Sequence, residues 1–492
     1  MSEDTQISDA HGHAHVPHPH VPHPHVPHRT HDVHPNIILA VLAVAGCAYS
    51  VLSSAVVPAL PTFATALHAS ETGTAWLLTA FLLSASIGTS IIGRLGDIYG
   101  KEKVLFVTLL VLAAGVLIAA LASSLPLLIF ARVVQGAGGG IFPLAFSIVR
   151  DEFPRERVAG AIGILSSILG VGGGLGMVIG ALIVEHLGIH WVFWIPLIVV
   201  LLAAFATWRW IPESPVKAPG QINWIAAILM AVGITLVLIA IAQTSTWGWG
   251  SVKTLAMLIG GIVVIAIWVL YEIRSKNPLI DMAMMRIRGV WTTNLAAFLL
   301  GAGMYASFLL YPELAQLPKA TGIGYGASTL VASVYLLPMA LFMAALGSVT
   351  GWVNRRFGSR FALIAGALVS ALAFLLMAVA HSAPIDMLIS AALLGIGIGL
   401  AFASLGNLIV GAVEPHQTGV ASGINTVMRT LGGALGGQIA ATFVADHHTA
   451  AGVPTISGFT MSFWMATAFL VITAAAGTLI PKARKAKVPV PV

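Results

Sequence analysis

A short charged segment carries the residue types in this chain that are best suited to binding charge or moving protons. Residues 93–103 read Gly-Arg-Leu-Gly-Asp-Ile-Tyr-Gly-Lys-Glu-Lys and lie between two long apolar runs. A carboxylate beside basic residues can pair with one of them, face the positive end of a helix, or take up a proton. The glycines allow a sharp turn and a close approach of two helices. The candidate residues here are Gly93, Arg94, Asp97, Gly100 and Lys101.

A second group consists of single polar residues inside apolar stretches. Arg132 lies inside one such stretch, and an intramembrane cation is costly unless it is paired or faces water, so we expect it to be functional, together with Gln135 and Gly136. Glu313 follows a proline that frees backbone carbonyls, which makes it the preferred proton carrier, although a solvated residue at a helix end is the alternative. Candidate liners of a substrate cavity, most of which are individually better explained as hydrogen-bonding contacts between helices, are Tyr49, Ser53, Asn294, Tyr305, Tyr335, Asn407, Asn425 and Arg429.

The N-terminal tail is rich in histidine. Residues 11–34 contain ten of the seventeen histidines of the chain, many of them alternating with proline. Proline prevents helix and sheet, so the tail is predicted to be extended and disordered. Imidazoles at this density bind divalent metals without a preformed site, as an adventitious property, as a metal or pH sensor, or to deliver metal for transport. The weak metal ligands are His11, His13, His15, His18, His20, His23, His25 and His28.

The composition places these residues in a membrane. Hydrophobic residues make up 58% of the 492 residues and charged residues only 9%, against about 25% charged in soluble proteins. Runs of about 20 apolar residues, the length that crosses a bilayer, recur along the whole chain. We count fourteen candidate spans, near 37–60, 73–92, 104–122, 126–149, 158–183, 191–211, 222–243, 252–272, 289–312, 326–350, 361–380, 385–412, 418–444 and 460–480. No soluble domain fits between them, and an enzyme is not expected because no nucleotide-binding loop or nucleophile–base pattern is present.

The distribution of basic residues supports this count. With the N-terminus in the cytoplasm, nearly all lysines and arginines of the loops fall on the cytoplasmic side, and only Lys253 and Lys319 fall outside. We therefore predict a multi-pass protein of the cell membrane with both termini cytoplasmic. The net charge of +6 reflects this bias and does not indicate nucleic-acid binding. The basic C-terminus is expected to touch anionic lipid headgroups of the bilayer.

Two matches within the chain indicate an internal repeat. The segment 136–140 followed by Pro154 corresponds to 397–401 followed by Pro415, and 93–103 has a degenerate echo in 351–360. The repeat predicts an all-α polytopic membrane protein with two six-helix halves and two additional central spans. The predicted divisions are a disordered tail at 1–35, a first half at 36–212, two linker spans at 213–288, a second half at 289–480 and a basic tail at 481–492.

The motifs resemble those of the major facilitator superfamily of secondary transporters over roughly residues 36–480. The segment 93–103 resembles its signature loop between the second and third helices, and Arg132-Val-Val-Gln-Gly-Ala-Gly resembles the R-x-x-Q-G-x-G motif of its proton antiporters. The segment 172–181 resembles the antiporter motif G-x-x-x-G-P-x-x-G-G, with Met177 in place of the proline. With fourteen spans and the segment 425–433, the chain is most similar to the drug:proton antiporter-2 family of multidrug exporters.

The resemblance implies a function and several roles. Asp97 would latch one half onto the other, Arg132 would tune a nearby carboxylate, and Gly176 and Gly180 would lie at an interface that bends between states. The expected function is export of amphiphilic small molecules by proton antiport with alternating access, by a monomer that needs no cofactor beyond the proton gradient. A metal or metal-chelate carrier and a non-transporting sensor or scaffold remain alternatives.

The chain departs from that family in its first span. Where the family pattern L-D-x-T-I-V-N-V-A-L-P has its acidic residue, this chain has Leu52, and no Asp or Glu lies at the centre of any span. The charges near the middle of the spans are instead positive, from Arg132 and Arg429. A buried cationic substrate requires a carboxylate partner, so neutral or anionic amphiphiles are predicted to be preferred over cations.

Overall fold

The computed structural model describes residues 33–214, 216–217, 220–449 and 454–481. The histidines from His11 to His28 and the basic residues 482–492 lie outside this part of the chain. Nearly all of the described residues are helical. The long helical segments are α1 (Pro35–Ala55), α2 (Glu71–Tyr99), α3 (Lys101–Leu121), α4 (Leu125–Glu152), α5 (Arg155–His186), α6 (Trp191–Trp210), α7 (Trp224–Ala242), α8 (Val252–Arg274), α9 (Arg288–Gln316), α10 (Thr329–Tyr335 and Leu337–Phe357), α11 (Ser359–Val379), α12 (Pro384–Ala412), α13 (Thr418–Asp446) and α14 (Ile456–Gly477).

Short elements connect and interrupt these segments. α4 contains a 3-10 turn at Gly136–Gly140, where the glycine run brings its backbone against α2 and α3. The remaining short helices and 3-10 turns are Leu60–Ala66, Thr244–Trp247, Met282–Arg286, Lys319–Thr321 and Pro415–Gln417.

Thirteen of the described helices are long and apolar enough to cross a membrane. The predicted segment that is missing from this set, 418–444, forms helix α13, which is long enough but too polar. α13 packs between α9 and α2 and carries Asn425 and Arg429 among its buried residues, so protein rather than lipid surrounds much of it. The count of fourteen spans therefore stays a prediction.

Glycines join α1 to α5 with their backbones in close contact. A Cβ at Gly176 would lie 2.7 Å from the Val51 carbonyl oxygen, and one at Gly180 would overlap the Ala55 carbonyl. The Ser54 hydroxyl donates across the crossing to the Gly172 carbonyl oxygen at 3.1 Å. Small residues at such spacing let membrane helices approach closely, which raises their van der Waals attraction.

The second half repeats this arrangement with α9 and α13. A Cβ at Gly432 would overlap the Phe298 carbonyl, and one at Gly436 would overlap the Ala302 carbonyl. α13 stands fifth in its half, as α5 does in the first, and α9 stands first, as α1 does. The same close crossing therefore stabilises both halves.

The two additional helices, α7 and α8, pack against each other, and α7 also contacts α2 and α13. At one end of α7 the Trp249 indole N–H donates to the Thr442 hydroxyl of α13 at 2.9 Å. The pair therefore lies beside the seam between α2 and α13, while most of α8 is exposed on its apolar side.

Replacing Gly180 by alanine is expected to lower the thermal unfolding temperature, because the added methyl group must push α1 away from α5. Overpacking of this kind costs about 1–3 kcal/mol. The matched control is Gly260→Ala in α8, where a Cβ would meet nothing within 4 Å. Thermal unfolding of the purified variants in detergent measures both. Equal unfolding temperatures would contradict the close crossing.

Candidate functional site

The carboxylate of Asp97 joins the two halves at the face predicted to be cytoplasmic. It is fully buried near the end of α2, and its Oδ1 and Oδ2 accept hydrogen bonds from the backbone N–H groups of Gly419, at 3.2 Å, and Val420, at 3.1 Å. These groups belong to the first turn of α13, where N–H groups lack partners within the helix and the helix dipole is positive. The predicted latch is thus a carboxylate bound to a helix N-terminus of the other half.

Glycine makes this contact possible. A Cβ at Gly93 would lie 2.5 Å from the Gly419 carbonyl oxygen, and a Cβ at Gly419 would lie 2.9 Å from Oδ1 of Asp97. The backbones of α2 and α13 therefore touch directly beside the carboxylate. Any larger residue at either glycine would separate the two halves at this point.

Arg150 of α4 makes a second contact between the halves at the same face. Its Nη1 donates to the Thr418 hydroxyl at 2.7 Å and its Nη2 to the Val413 carbonyl oxygen at 2.8 Å. No sequence motif pointed to this role, because Arg150 counted only as one of many basic residues of the loops. Asn407 of α12 makes a third contact, because its amide donates to the Ala159 carbonyl of α5 at 3.1 Å.

The basic residues of the charged loop, Arg94 and Lys101, form their hydrogen bond and ion pair with groups other than Asp97. Arg94 donates to the Pro278 carbonyl oxygen of the linker at 3.5 Å. Lys101 is buried and forms an ion pair with Asp151 of α4. Gly100 takes a φ of 109°, which only glycine adopts readily, and so makes the turn between α2 and α3. On the surface nearby, hydrogen bonds from Lys217 and Lys103 hold the pKa of Glu213 below its usual value.

Arg132 lies in a fully buried network within the first half. Its Nε donates to the Leu77 carbonyl at 3.0 Å, its Nη1 donates to Oε1 of Gln135 at 2.8 Å, and its guanidinium lies 4.1 Å from the centroid of the Phe81 ring. Gln135 in turn donates to the Gly115 carbonyl at 3.0 Å. In the described chain no carboxylate hydrogen-bonds to Arg132, so the acid that the family resemblance implied is missing from its contacts. The network instead ties α4 to α2 and α3.

A narrow cavity lies between the halves above the Asp97 contact. Helices α4 and α5 line it from one half, and α12 and α13 from the other. The lining residues are Phe142, Phe146, Ser166, Leu169, Phe402, Gly406, Ile409, Ser422, Asn425, Thr426 and Arg429. Two of the residues expected to line a cavity, Asn425 and Arg429, are among them.

The other expected liners have other neighbours. The Tyr49 ring packs near Phe81 and Phe142, with centroids 5.7 and 6.4 Å away. Asn294 accepts a hydrogen bond from Asn425 at 3.0 Å. The remaining three contact residues that are near them in the sequence. The Ser53 hydroxyl donates to the Ser50 carbonyl, the Tyr305 ring packs near Phe308, and the Tyr335 ring packs near Tyr325.

Glu313 lies near the end of α9 that is predicted to face outward. The helix continues through Pro312 without a break, so the proline leaves a local gap in its hydrogen bonding. The carboxylate is partly buried and close enough to His448 to interact with it electrostatically. In the part of the chain that the structure covers, no three His, Cys, Asp or Glu side chains are grouped to hold a metal ion.

Replacing Asp97 by alanine is expected to open the cavity to reagents from the cytoplasmic side. The change leaves two N–H groups of α13 without acceptors, at a cost of roughly 1 kcal/mol, which corresponds to about fivefold in the open fraction. The readout is the rate at which a membrane-impermeant thiol reagent modifies Ser422→Cys in a Cys47→Ala background, in inside-out vesicles. The control is Glu213→Ala, which removes a carboxylate at the same face whose partners among the described residues are Lys103 and Lys217. An unchanged rate in Asp97→Ala would contradict the latch.

Comparisons with known proteins give a family match and several relatives. A family model described as Major Facilitator Superfamily matches residues 42–437, and a further match covers residues 293–491. Multidrug resistance protein 3 of Bacillus subtilis (strain 168) is 28% identical over 380 residues, which is 75% of this chain and 72% of that protein. The tetracenomycin C resistance and export protein of Streptomyces glaucescens is 28% identical over 403 residues, 80% and 73% of the two chains.

A relative of another kind and two solved structures extend the comparison. The uridine/deoxyuridine transporter of Lactococcus lactis subsp. cremoris (strain MG1363) is 28% identical over 472 residues, 92% of this chain and 95% of that protein. The human organic anion transporter MFSD10 has a TM-score of 0.64 at 16% identity and covers 90% of this chain and 99% of its own. The proton:xylose symporter XylE has a TM-score of 0.64 at 14% identity, with 91% and 96% covered. At these identities the two structures show a common fold.

Proposed function

The chain belongs to the Major Facilitator Superfamily, and from that premise we propose that it exports amphiphilic small molecules by proton antiport. It is a multi-pass membrane transporter and not an enzyme, as the sequence predicted. Its relatives include multidrug resistance and export proteins, which supports export over uptake. We assign it to the fourteen-span drug:proton antiporter-2 type, with α13 as the span that is too polar to recognise by composition.

The observation that carries this proposal is the contact of Asp97 with the first turn of α13, below a cavity lined by both halves. With the basic loops in the cytoplasm, this contact and that of Arg150 close the cytoplasmic side. Opening toward the cytoplasm requires these contacts to break, so we infer two arrangements of the halves, one closed and one open at this face. Alternating access by rocking of the halves around a central site follows from such a design. A rigid scaffold would not need this contact.

Proton coupling is assigned to Glu313. It is a partly buried carboxylate near the outer face, next to a proline that leaves a carbonyl free and close to His448. A carboxylate in such a place gains and loses a proton according to whether water reaches it, and water access changes when the halves rock. Arg132 contributes by holding α4 to α2, since it has no acid partner among the described residues.

The residues that line the cavity support a proposal for the substrate class. Three phenylalanines and an arginine line it, and none of its lining residues is acidic. Aromatic walls suit an apolar body, and an arginine suits a neutral or anionic polar group. We therefore propose neutral or anionic amphiphiles as substrates in preference to cations, exported from the cytoplasm by a monomer in the cell membrane.

Reconstitution into liposomes that contain a pH-sensitive dye tests the proposal. With an imposed pH gradient, addition of a substrate is expected to give proton flux opposite in direction to substrate movement. Substrate movement without proton flux would reduce the function to facilitated diffusion. No movement of any cationic, neutral or anionic amphiphile would favour a sensor or scaffold.

In the same assay, Glu313→Gln is expected to abolish substrate-dependent proton flux, because the amide cannot bind and release a proton. The control is Glu185→Gln, which changes an exposed carboxylate at the end of α5 that is predicted to face outward, as Glu313 does on α9. Retention of full pH-dependent flux in Glu313→Gln would remove this residue from the coupling mechanism. Loss of flux in both variants would point to a general effect of charge at the outer face.

A further inference from the structure

We propose that Arg429 anchors the anionic group of an amphiphilic organic anion, with unpartnered serine hydroxyls beside it and phenylalanine walls around the apolar body. The site is the cavity between the halves, lined by residues of α4, α5, α12 and α13. This inference rests on the proposed export function and specifies the charge and shape of its substrate.

Arg429 is a buried cation without a hydrogen-bond acceptor. Its side chain lies on α13, the residue is only 8% exposed, and its guanidinium sits 4.5 Å from the centroid of the Phe402 ring. Its Nε is buried without a partner, and across the described residues its guanidinium makes no hydrogen bond. A guanidinium has five N–H donors in a planar fork that matches a carboxylate or sulfonate. Leaving a buried guanidinium without protein acceptors is costly, most of all at Nε, which is shielded from solvent.

Arg132 provides an internal comparison. Both arginines are buried and lie over a phenylalanine ring, Phe81 for Arg132 and Phe402 for Arg429. Arg132 also has the Leu77 carbonyl and the Gln135 side chain as acceptors, so the protein pairs its Nε and Nη1 and leaves its buried Nη2 without a partner among the described residues. Arg429 has neither kind of acceptor and faces a cavity. The difference indicates that the acceptor for Arg429 comes from a bound molecule.

Two further donors in the same cavity lack partners. Ser166 of α5 and Ser422 of α13 both line it, both are buried, and the hydroxyl of each makes no hydrogen bond within the described structure. A hydroxyl can donate to an anion as readily as it accepts from another group. The two serines come from different halves, so a bound anion would be held by both.

The walls of the cavity indicate the chemistry of the apolar part of the bound ligand. Phe142 and Phe146 of α4 and Phe402 of α12 present aromatic surface, and Leu169 and Ile409 present aliphatic surface. In this closed arrangement the cavity has a volume of only about 10 Å³, so these residues would contact a flat apolar body after the halves move apart. No carboxylate lines the cavity to repel an anion or to pair with a cation.

Binding of a matched pair of probes to the intact protein in lipid nanodiscs tests the site. The probes are 1-naphthalenesulfonate and its uncharged analogue 1-naphthalenesulfonamide, and isothermal titration calorimetry gives the affinities. We expect tighter binding of the sulfonate. Arg429→Gln is expected to weaken sulfonate binding by about tenfold or more, the range for loss of a charged hydrogen bond, and to leave sulfonamide binding nearly unchanged. Arg429→Lys keeps the charge and is expected to retain part of the affinity.

The controls separate this site from general effects. Arg356→Gln removes an exposed arginine outside the cavity and is expected to change neither affinity. Thermal unfolding verifies that each variant folds, and if Arg429→Gln does not, the same comparison is made with Arg429→Lys and with Ser422→Ala. Equal sulfonate affinity in wild type and the Arg429 variants, or sulfonate binding no tighter than sulfonamide binding, would overturn the site.

Transport by the wild type distinguishes the failure of this site from the failure of the proposed function. Proton flux with ethidium and none with 1-naphthalenesulfonate would overturn the anion site and leave the export function in place. The absence of flux with every probe would overturn the export function, whereas the calorimetric comparison would still decide whether Arg429 binds anions.

Discussion

Two N–H groups in the first turn of α13 need acceptors, and the carboxylate of Asp97, from the other half of the molecule, supplies both. Because the carboxylate is fully buried, the halves must fit closely around it, and Gly93 and Gly419 provide that fit by bringing two backbones into contact. Arg150 reinforces the same face. As a result, the cavity is closed on the side that carries Asp97 and Arg150. A solute can enter from that side only if the contacts of these two residues separate.

The buried charges near the centre of the described structure are positive, which does not suit a transporter of cations. Both buried arginines near the centre lack a carboxylate partner among the described residues, and each uses a phenylalanine ring instead. Arg132 donates from two of its nitrogens to carbonyl and amide oxygens and so stabilises its half, whereas Arg429 faces the cavity and makes no hydrogen bond among the described residues. One buried arginine thus belongs to the framework and the other to the proposed binding site. The acid-poor first span, with Leu52 in place of a carboxylate, fits the same account.

Much of this could be predicted from sequence because membrane spans and their loops follow simple rules of length, hydropathy and charge. The family resemblance implied the latch at Asp97, but not which helix receives it, since the first turn of α13 lies 322 residues away along the chain. Arg150 has no motif that separates it from other loop arginines. The segment 418–444 was counted as a span among the apolar runs, but it forms helix α13, which is not among the thirteen described helices apolar enough to cross a membrane. Of the eight expected cavity residues, Asn425 and Arg429 line the cavity found between the halves. The sequence shows that a residue is polar, but it does not show whether its side of the helix faces the cavity or another helix.

The central claim is that the halves separate and close at the cytoplasmic seam. Spin labels at Glu156→Cys and Arg356→Cys, exposed residues near the closely packed Gly160 and Gly351, report the width of that seam in a Cys47→Ala background. Distances between the labels by pulsed electron paramagnetic resonance in nanodiscs are expected to show a short population that dominates without substrate. A longer population should grow when pH, 1-naphthalenesulfonate or the Asp97→Ala change shifts the equilibrium. A single distance that none of these three conditions alters would contradict the account and leave a static membrane protein.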